Sequence, residues 1–385
     1  MVKIGLKIFI AGYVFWYGLG YLNPNVIGLL NLFDVNLAII LFFGFAILGY
    51  KFGYNSIPKY IPSEVKLHEY GVGNRSFVLM VMVFILVAIF LYLTLGKGML
   101  GYHAVRAQIA IGILIFIYTC LFRGWKKVIF LLFFFAIMLF SLETYSRRPF
   151  LTLSATILLI PLIRNRYSLQ KTTFIGVSTA IFGVVILSYI TGIRYLGETV
   201  YLFEIGSLLR EGISVFISGE GFDTVYLTSY VIENYKTSDY LHGQTFFGGF
   251  TNFIPRVFWP EKPIAFGVTL SSQYFDVGLD ELFTNLGPGI VAEAYANGGF
   301  ISVTVVAILF GLVIGCTDRA IENNCYNWIY LLLGVVFYPV IFFVIRGDFL
   351  NSFYEFYSKA AVIGVIIFSL GLHHHLINRF QNDDM

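Results

Sequence analysis

The sequence predicts an all-α integral membrane protein of about ten transmembrane helices with one large extracytoplasmic loop. Three observations lead there. Hydrophobic residues make up 58% of the chain and charged residues 12%, with a mean hydropathy of +0.80. Soluble domains average about 25% charged residues, so lipid must be the solvent for most of this surface. The apolar residues fall in continuous runs, whereas a lipid-facing β-barrel would alternate with period two. Every connection between the runs is short except one.

A spanning helix needs roughly 20 mostly apolar residues. Spans fall at 4–22, 35–53, 76–95, 107–122, 128–144, 150–163, 173–193, 289–315, 327–345 and 355–372. The first begins with two lysines and lacks a small-x-small cleavage site, so it reads as a retained helix and not as a signal peptide. The chain thus divides into seven spans over 1–193, a loop over 194–288 and three spans over 289–385.

Orientation follows from Lys and Arg in the short loops. With the N-terminus inside, fourteen of them lie on the inner side and five (Lys97, Arg106, Arg147, Arg148 and Arg346) lie in short outer loops. Both termini are therefore expected in the cytoplasm. Cys120, Cys316 and Cys325 then fall near inner ends, in a reducing compartment. The net charge of +3 gives no argument for nucleic acid as a partner.

The loop over 194–288 is about 95 residues long and rich in aromatic and aliphatic residues, which argues against disorder. Phe222, Tyr226, Tyr230 and Glu233 recur at helical spacing, as in an amphipathic helix lying on the membrane. Pro255, Pro260 and Pro263 exclude a regular element between Phe250 and Ile264. In Gly219-Glu220-Gly221-Phe222-Asp223 a turn leads into a helix, and Asp223 either caps that helix or serves as a base.

The expected outer side carries Arg147, Arg148, Arg194, Arg210, Arg256, Lys262 and Arg346. Arginine holds phosphate with a rigid, permanently charged fork of donors. Cations at the interface suit a lipid pyrophosphate whose tail stays in the bilayer. Pairing with the acids of the same loop, or snorkelling, is the alternative. After Pro288, the residues Gly289, Glu293, Ala296 and Asn297 share one helix face. That face is small and polar, so it looks at protein or water. Glu293, one turn into the helix, is a functional carboxylate or the partner of an arginine.

No Asp-x-Asp site, Walker A loop, GxSxG elbow or HExxH helix occurs. His373, His374 and His375 are consecutive, so they point about 100° apart on a helix and form no ligand set.

Residues Asn252-Phe253-Ile254-Pro255-Arg256-Val257-Phe258-Trp259-Pro260-Glu261-Lys262-Pro263 resemble the outer-loop signature of the bacterial oligosaccharide repeat-unit polymerases, the Wzy-type O-antigen polymerases. Glu293-Ala294-Tyr295 with Gly298-Gly299 looks like the helix that follows in that family, and Ser146-Arg147-Arg148-Pro149 is similar to one of its basic positions. Asn285-Leu286-Gly287-Pro288 stands where a Thr-containing run is more usual. The strong resemblance covers 243–300.

The resemblance implies a multi-pass glycosyltransferase of the bacterial inner membrane. It would join undecaprenyl-pyrophosphate-linked oligosaccharides, one as donor and one as acceptor, at the outer leaflet. A chain-length regulator and a flippase would be its partners, with no cofactor, metal or nucleotide sugar. Arg147, Arg148, Arg194, Arg256, Lys262 and Arg346 would hold the pyrophosphate, Glu293 or Asp223 would take the hydroxyl proton, and Trp259 and Tyr274 would face sugar rings. A lipid-linked glycan flippase and an O-antigen ligase are the alternatives. A membrane O-acyltransferase would call for a buried histidine in a span, and none is evident.

Overall fold

The computed structural model describes residues 3–26, 28–59, 109–116, 125–143, 147–163, 206, 210, 213–214, 223–254, 256–279, 281–282, 285–324 and 328–369. All regular structure among them is helical. Among the described residues, four helices are long and apolar enough to cross a membrane: Ile4–Leu22, Leu32–Ser56, Gly289–Asn323 and Ile329–Arg346. They coincide with the sequence-predicted spans 4–22, 35–53, 289–315 and 327–345. The Trp125–Glu143 and Arg147–Ile163 helices fall on two more of those spans, and Phe349–Ser369 begins six residues before the last one. Of the span at 107–122, residues 109–116 are described and helical. The spans at 76–95 and 173–193 lie outside the described residues.

Two compact units divide the chain: Met1–Ser63 with Leu162–Glu355, and Glu64–Pro161 with Phe356–Met385. In the second, the apolar stretch 109–116 is fully buried, and Phe116 packs on Phe134 with ring centroids 4.8 Å apart. The first unit holds the four long apolar helices and the described part of the loop.

In the first unit, the Leu32–Ser56 and Gly289–Asn323 helices meet backbone to backbone. A Cβ on Gly49 would strike the carbonyl oxygen of Ile308, and one on Gly53 that of Leu312. Reciprocally, Cβ atoms on Gly311 and Gly315 would strike the carbonyl oxygens of Ala46 and Tyr50. Each helix thus contributes a Gly-x-x-x-Gly pair. In lipid there is no hydrophobic drive between helices, and small residues allow the close approach that packing requires.

One carboxylate ties four spans together. Asp318, buried near the C-terminal end of its helix, accepts the Gly5 amide at 2.8 Å and the Leu6 amide at 3.1 Å. It also accepts the Tyr50 hydroxyl at 3.1 Å and the Tyr338 hydroxyl at 2.7 Å. Gly5 and Leu6 lie in the first turn of their helix, where amides have no intrahelical acceptor and a negative charge is favoured. Further along the same helix, Phe9 and Tyr13 pack with Phe42 and Phe43 as an aromatic layer.

The Gly289–Asn323 helix is broken at Gly298-Gly299. Gly299 has φ 62° and ψ −152°, which only glycine adopts readily. Residues 289–297 are buried throughout, whereas Ile301, two residues past the break, is 80% exposed.

The described part of the loop holds three short helices, Thr224–Asn234, Gln244–Thr251 and Phe266–Phe275, of which the first two pack on this broken helix. The Thr224–Asn234 helix carries the periodicity expected of a membrane-surface helix, but it is packed into protein. Val225, Leu227, Val231 and Ile232 are buried, and Ser229 is tied to Asn31, whose side-chain amide donates to its carbonyl at 2.9 Å. Between Asn252 and Ala265 the described backbone forms turns and extended segments, in keeping with the three prolines.

Candidate functional site

Of the charged residues of the first unit that the sequence singles out, Glu293 lies one turn into the broken helix, Arg346 adjoins Gly287 and pairs with Asp223, and Arg256 and Lys262 lie in the turns after Thr251. Three sets can be built up from local structure.

The first set surrounds Glu293. Its side chain has 0% exposure. The helix face of Gly289, Ala296 and Asn297 is buried with it, as the sequence pattern requires. Oε2 accepts the Phe349 amide at 2.7 Å, and Thr245 and the Asp348 carboxylate are its other polar neighbours. Asp348 is the cap of the Phe349–Ser369 helix. Its Oδ1 accepts the Asn351 amide at 2.7 Å and its Oδ2 the Asn351 side-chain amide at 2.8 Å. Two carboxylates therefore serve the first turn of one helix, where the orphan amides and the helix dipole favour negative charge. Asn297 extends the set. Its side-chain amide donates to Thr245 Oγ1 at 2.8 Å and its oxygen accepts the Gly243 amide at 2.8 Å.

The second set is Asp223, Arg346 and Trp16. Arg346, the last residue of its span, approaches Asp223 Oδ1 at 3.4 Å, with side-chain exposures of 25% and 15%. The guanidinium also lies 5.1 Å from the centroid of the Trp16 ring. Asp223 stands at the N-cap position of Thr224–Asn234, but its side chain closes no cap hydrogen bond. Of the two readings the sequence allows, cap or base, the capping one is not formed; the carboxylate is turned to an arginine. Tyr274 belongs to the same neighbourhood. Its hydroxyl is 3.3 Å from that of Tyr226, and its ring meets those of Tyr226 and Tyr230 edge to face. The Tyr226 hydrogen bond, then burial, and more weakly the Asp223 charge push the Tyr274 phenol up to about 12. Tyr274 thus stays a neutral donor at physiological pH.

The third set is the Pro-Arg…Trp-Pro-Glu-Lys-Pro segment. Lys262 is buried inside it. Its ammonium donates to the Asn252 carbonyl at 3.0 Å, Asn252 Oδ1 at 2.9 Å and the Ile254 carbonyl at 2.9 Å. An ammonium has three donors, and all three close the loop on itself. Burial, and secondarily the charge of Arg256, hold Lys262 below the usual lysine range. The expected pyrophosphate ligand is in this geometry a staple of the loop. Arg256 is exposed and gives one N–H to the Pro260 carbonyl at 2.8 Å. Trp259 is half-buried with its ring 6.1 Å from that of Phe247.

Arg147 and Arg148 open the Arg147–Ile163 helix in the second unit, and their side chains lie outside the described structure. Arg194 lies outside the described residues. Sequence reasoning passed over Asp348 and Asp318. Asp348-Phe349-Leu350-Asn351 after a span end is a legible cap pattern; Asp318 had only its rarity within an apolar helix to mark it.

Chemically, the Asp223–Arg346 pair combines a carboxylate able to take a proton with a cation able to hold an anion, both partly open. Glu293 is sealed. Of the two carboxylates that the sequence offers as a base, Asp223 is the one partly open to solvent.

A family model described as a domain of unknown function (DUF8712) matches residues 223–379. The chain matches no curated protein and no solved structure.

Proposed function

We propose that this chain is a membrane glycosyltransferase that polymerises undecaprenyl-pyrophosphate-linked oligosaccharide repeat units. In this reading it has about ten spans in a bacterial inner membrane. Its termini are cytoplasmic, and residues 194–288 and the site face the outer leaflet. The observation that carries the proposal is the partly open Asp223–Arg346 pair at the end of a span, with neutral Tyr274 beside it. The likeness of residues 252–263 to the repeat-unit polymerase signature gives the pair its chemistry.

The acceptor hydroxyl oxygen attacks the anomeric carbon of the donor chain. Asp223 takes the hydroxyl proton. The bond between that carbon and the pyrophosphate oxygen breaks, and undecaprenyl pyrophosphate leaves with the electron pair. Arg346 and Arg256 stabilise its charge, with Arg194 a further basic position proposed from sequence. Lys262 shapes the loop that presents Arg256 and Trp259. Glu293 holds the start of the last described helix.

The test is elongation by purified full-length chain in nanodiscs supplied with the lipid-linked repeat unit. A ladder of products is expected, and Asp223→Asn should shorten it by slowing turnover about 10²–10⁴-fold. No ladder from the unmodified chain, or an unchanged one from Asp223→Asn, rejects the proposal. A second reading, a flippase for lipid-linked glycans, draws on the break at Gly298-Gly299, since transporters use discontinuous helices near their sites. Movement of a labelled lipid-linked sugar between leaflets without elongation would favour it.

A further inference from the structure

The Gln244–Thr251 helix is turned inside out for a water-facing element. It buries Thr245, Gly248 and Gly249 and exposes Phe247 and Phe250. The turns after it continue the pattern. Phe253 is exposed, Val257 is 88% exposed and Phe258 is 80% exposed. Single exposed apolar residues are ordinary, but five within twelve positions form a patch that needs a cover.

The attachment of the patch identifies the cover. Leu241 donates its amide to the Ala296 carbonyl at 2.9 Å, Gly243 donates to Asn297 Oδ1 at 2.8 Å, and Asn297 donates to Thr245 at 2.8 Å. These bonds fix the start of the helix to the level of residues 296–297, just before the break. Past the break the exposed face of the long helix is apolar: Ile301, Val305, Leu309, Leu312 and Val313. Residues 300–318 rise about 28 Å, close to the roughly 30 Å of a hydrocarbon core. The lipid-facing surface of this helix therefore begins near residue 300, and the anchor at 296–297 lies just across the break from it, so the patch is attached beside the edge of that surface. The base of the patch is firm, because Phe250 packs against Phe349 and Phe353 at 5.5 and 4.9 Å. Exposed Arg256 adjoins Val257 at the tip. Aromatic side chains with a basic neighbour are the composition of an interfacial anchor.

We propose that Phe247, Phe250, Phe253, Val257 and Phe258 form a wedge seated among the acyl chains of the surrounding bilayer phospholipid, with Arg256 at the level of their phosphates. The wedge stands independently of any sugar-transfer activity.

Its test uses full-length chain with Cys120, Cys316 and Cys325 changed to Ser. A bimane label is attached at Val257→Cys or Phe258→Cys, in nanodiscs of phosphatidylethanolamine and phosphatidylglycerol. Both positions are exposed, so the substitutions disturb no packing. Phospholipid with brominated acyl chains should quench the label strongly at both sites. Aqueous iodide should quench it several-fold less than a label at Ser238→Cys, an exposed loop position. Equal iodide quenching at all three sites places the patch in water and overturns the proposal. Protection from both quenchers, as under a second copy of the chain or another protein, overturns it as well.

Discussion

Arg346 is gripped from two sides: its guanidinium meets the Asp223 carboxylate at 3.4 Å and lies over the Trp16 ring at 5.1 Å. Trp16 comes from the first span and Asp223 from the loop, so the arginine links the two. Arg346→Lys keeps the charge but loses the flat fork and the stacking. Stability should fall only by about 1 kcal/mol, because a cation of either kind remains beside Asp223 in this partly open pair and a cation over a ring contributes a similar small amount. Elongation should fall far more than that. Parallel thermal melts and product ladders test this. An unchanged ladder from Arg346→Lys would show that the fork does not touch the reacting pyrophosphate.

Glu293 should behave as a structural group. Glu293→Gln keeps an acceptor for the Phe349 amide, so activity per folded molecule should stay within a few-fold of the unmodified chain. Glu293→Ala leaves that buried amide without its acceptor and should lower stability by about 1–3 kcal/mol. Specific activity and melting temperature, measured on both variants, decide the matter. A hundredfold loss of turnover in Glu293→Gln with an unshifted melt would return Glu293 to the chemistry.

Gly299→Ala should be strongly destabilising for two separable reasons. Its φ of 62° with ψ of −152° strains any Cβ-bearing residue, typically by 1–3 kcal/mol. The new Cβ would also sit 2.5 Å from the Tyr240 hydroxyl. Adding Tyr240→Phe removes that oxygen but not the backbone strain, so the double variant should recover only part of the loss. Full recovery would mean that the backbone is not strained there.

Much of the membrane architecture was legible because hydropathy over some twenty residues is a strong signal. The runs at 4–22, 35–53, 289–315 and 327–345 each lie on a helix of the expected length. The burial of Gly289, Glu293 and Asn297 was expected from their spacing, but every residue of 289–297 is buried, so the spacing singles out no face. Roles were less legible. Lys262 and Arg256 look alike in sequence, but one is consumed by three backbone and side-chain acceptors and the other is exposed. The Tyr226 and Tyr230 periodicity suggested a helix on lipid. The helix is there, but its protein-packed face is that of Val225, Thr228, Val231 and Ile232, while Tyr226 and Tyr230 are half-buried beside Tyr274 and Glu233 is exposed. The Gly49–Gly53 and Gly311–Gly315 pairs were passed over, because four-residue glycine spacing is common in apolar helices and names no partner. The Asp318 cluster depends on partners hundreds of positions away, which no local window contains.

That separation sets a schedule for biosynthesis. Gly5 and its acceptor Asp318 are 313 residues apart. At roughly 5–20 residues per second, the ribosome reaches residue 318 roughly 15–60 s after residue 5. Throughout that interval the first helix exists without the carboxylate that satisfies its leading amides. Tyr338, the fourth span's contribution, is made later still. The first span is therefore threaded early and locked late, and a chain halted before residue 318 lacks the latch that joins its beginning to its end.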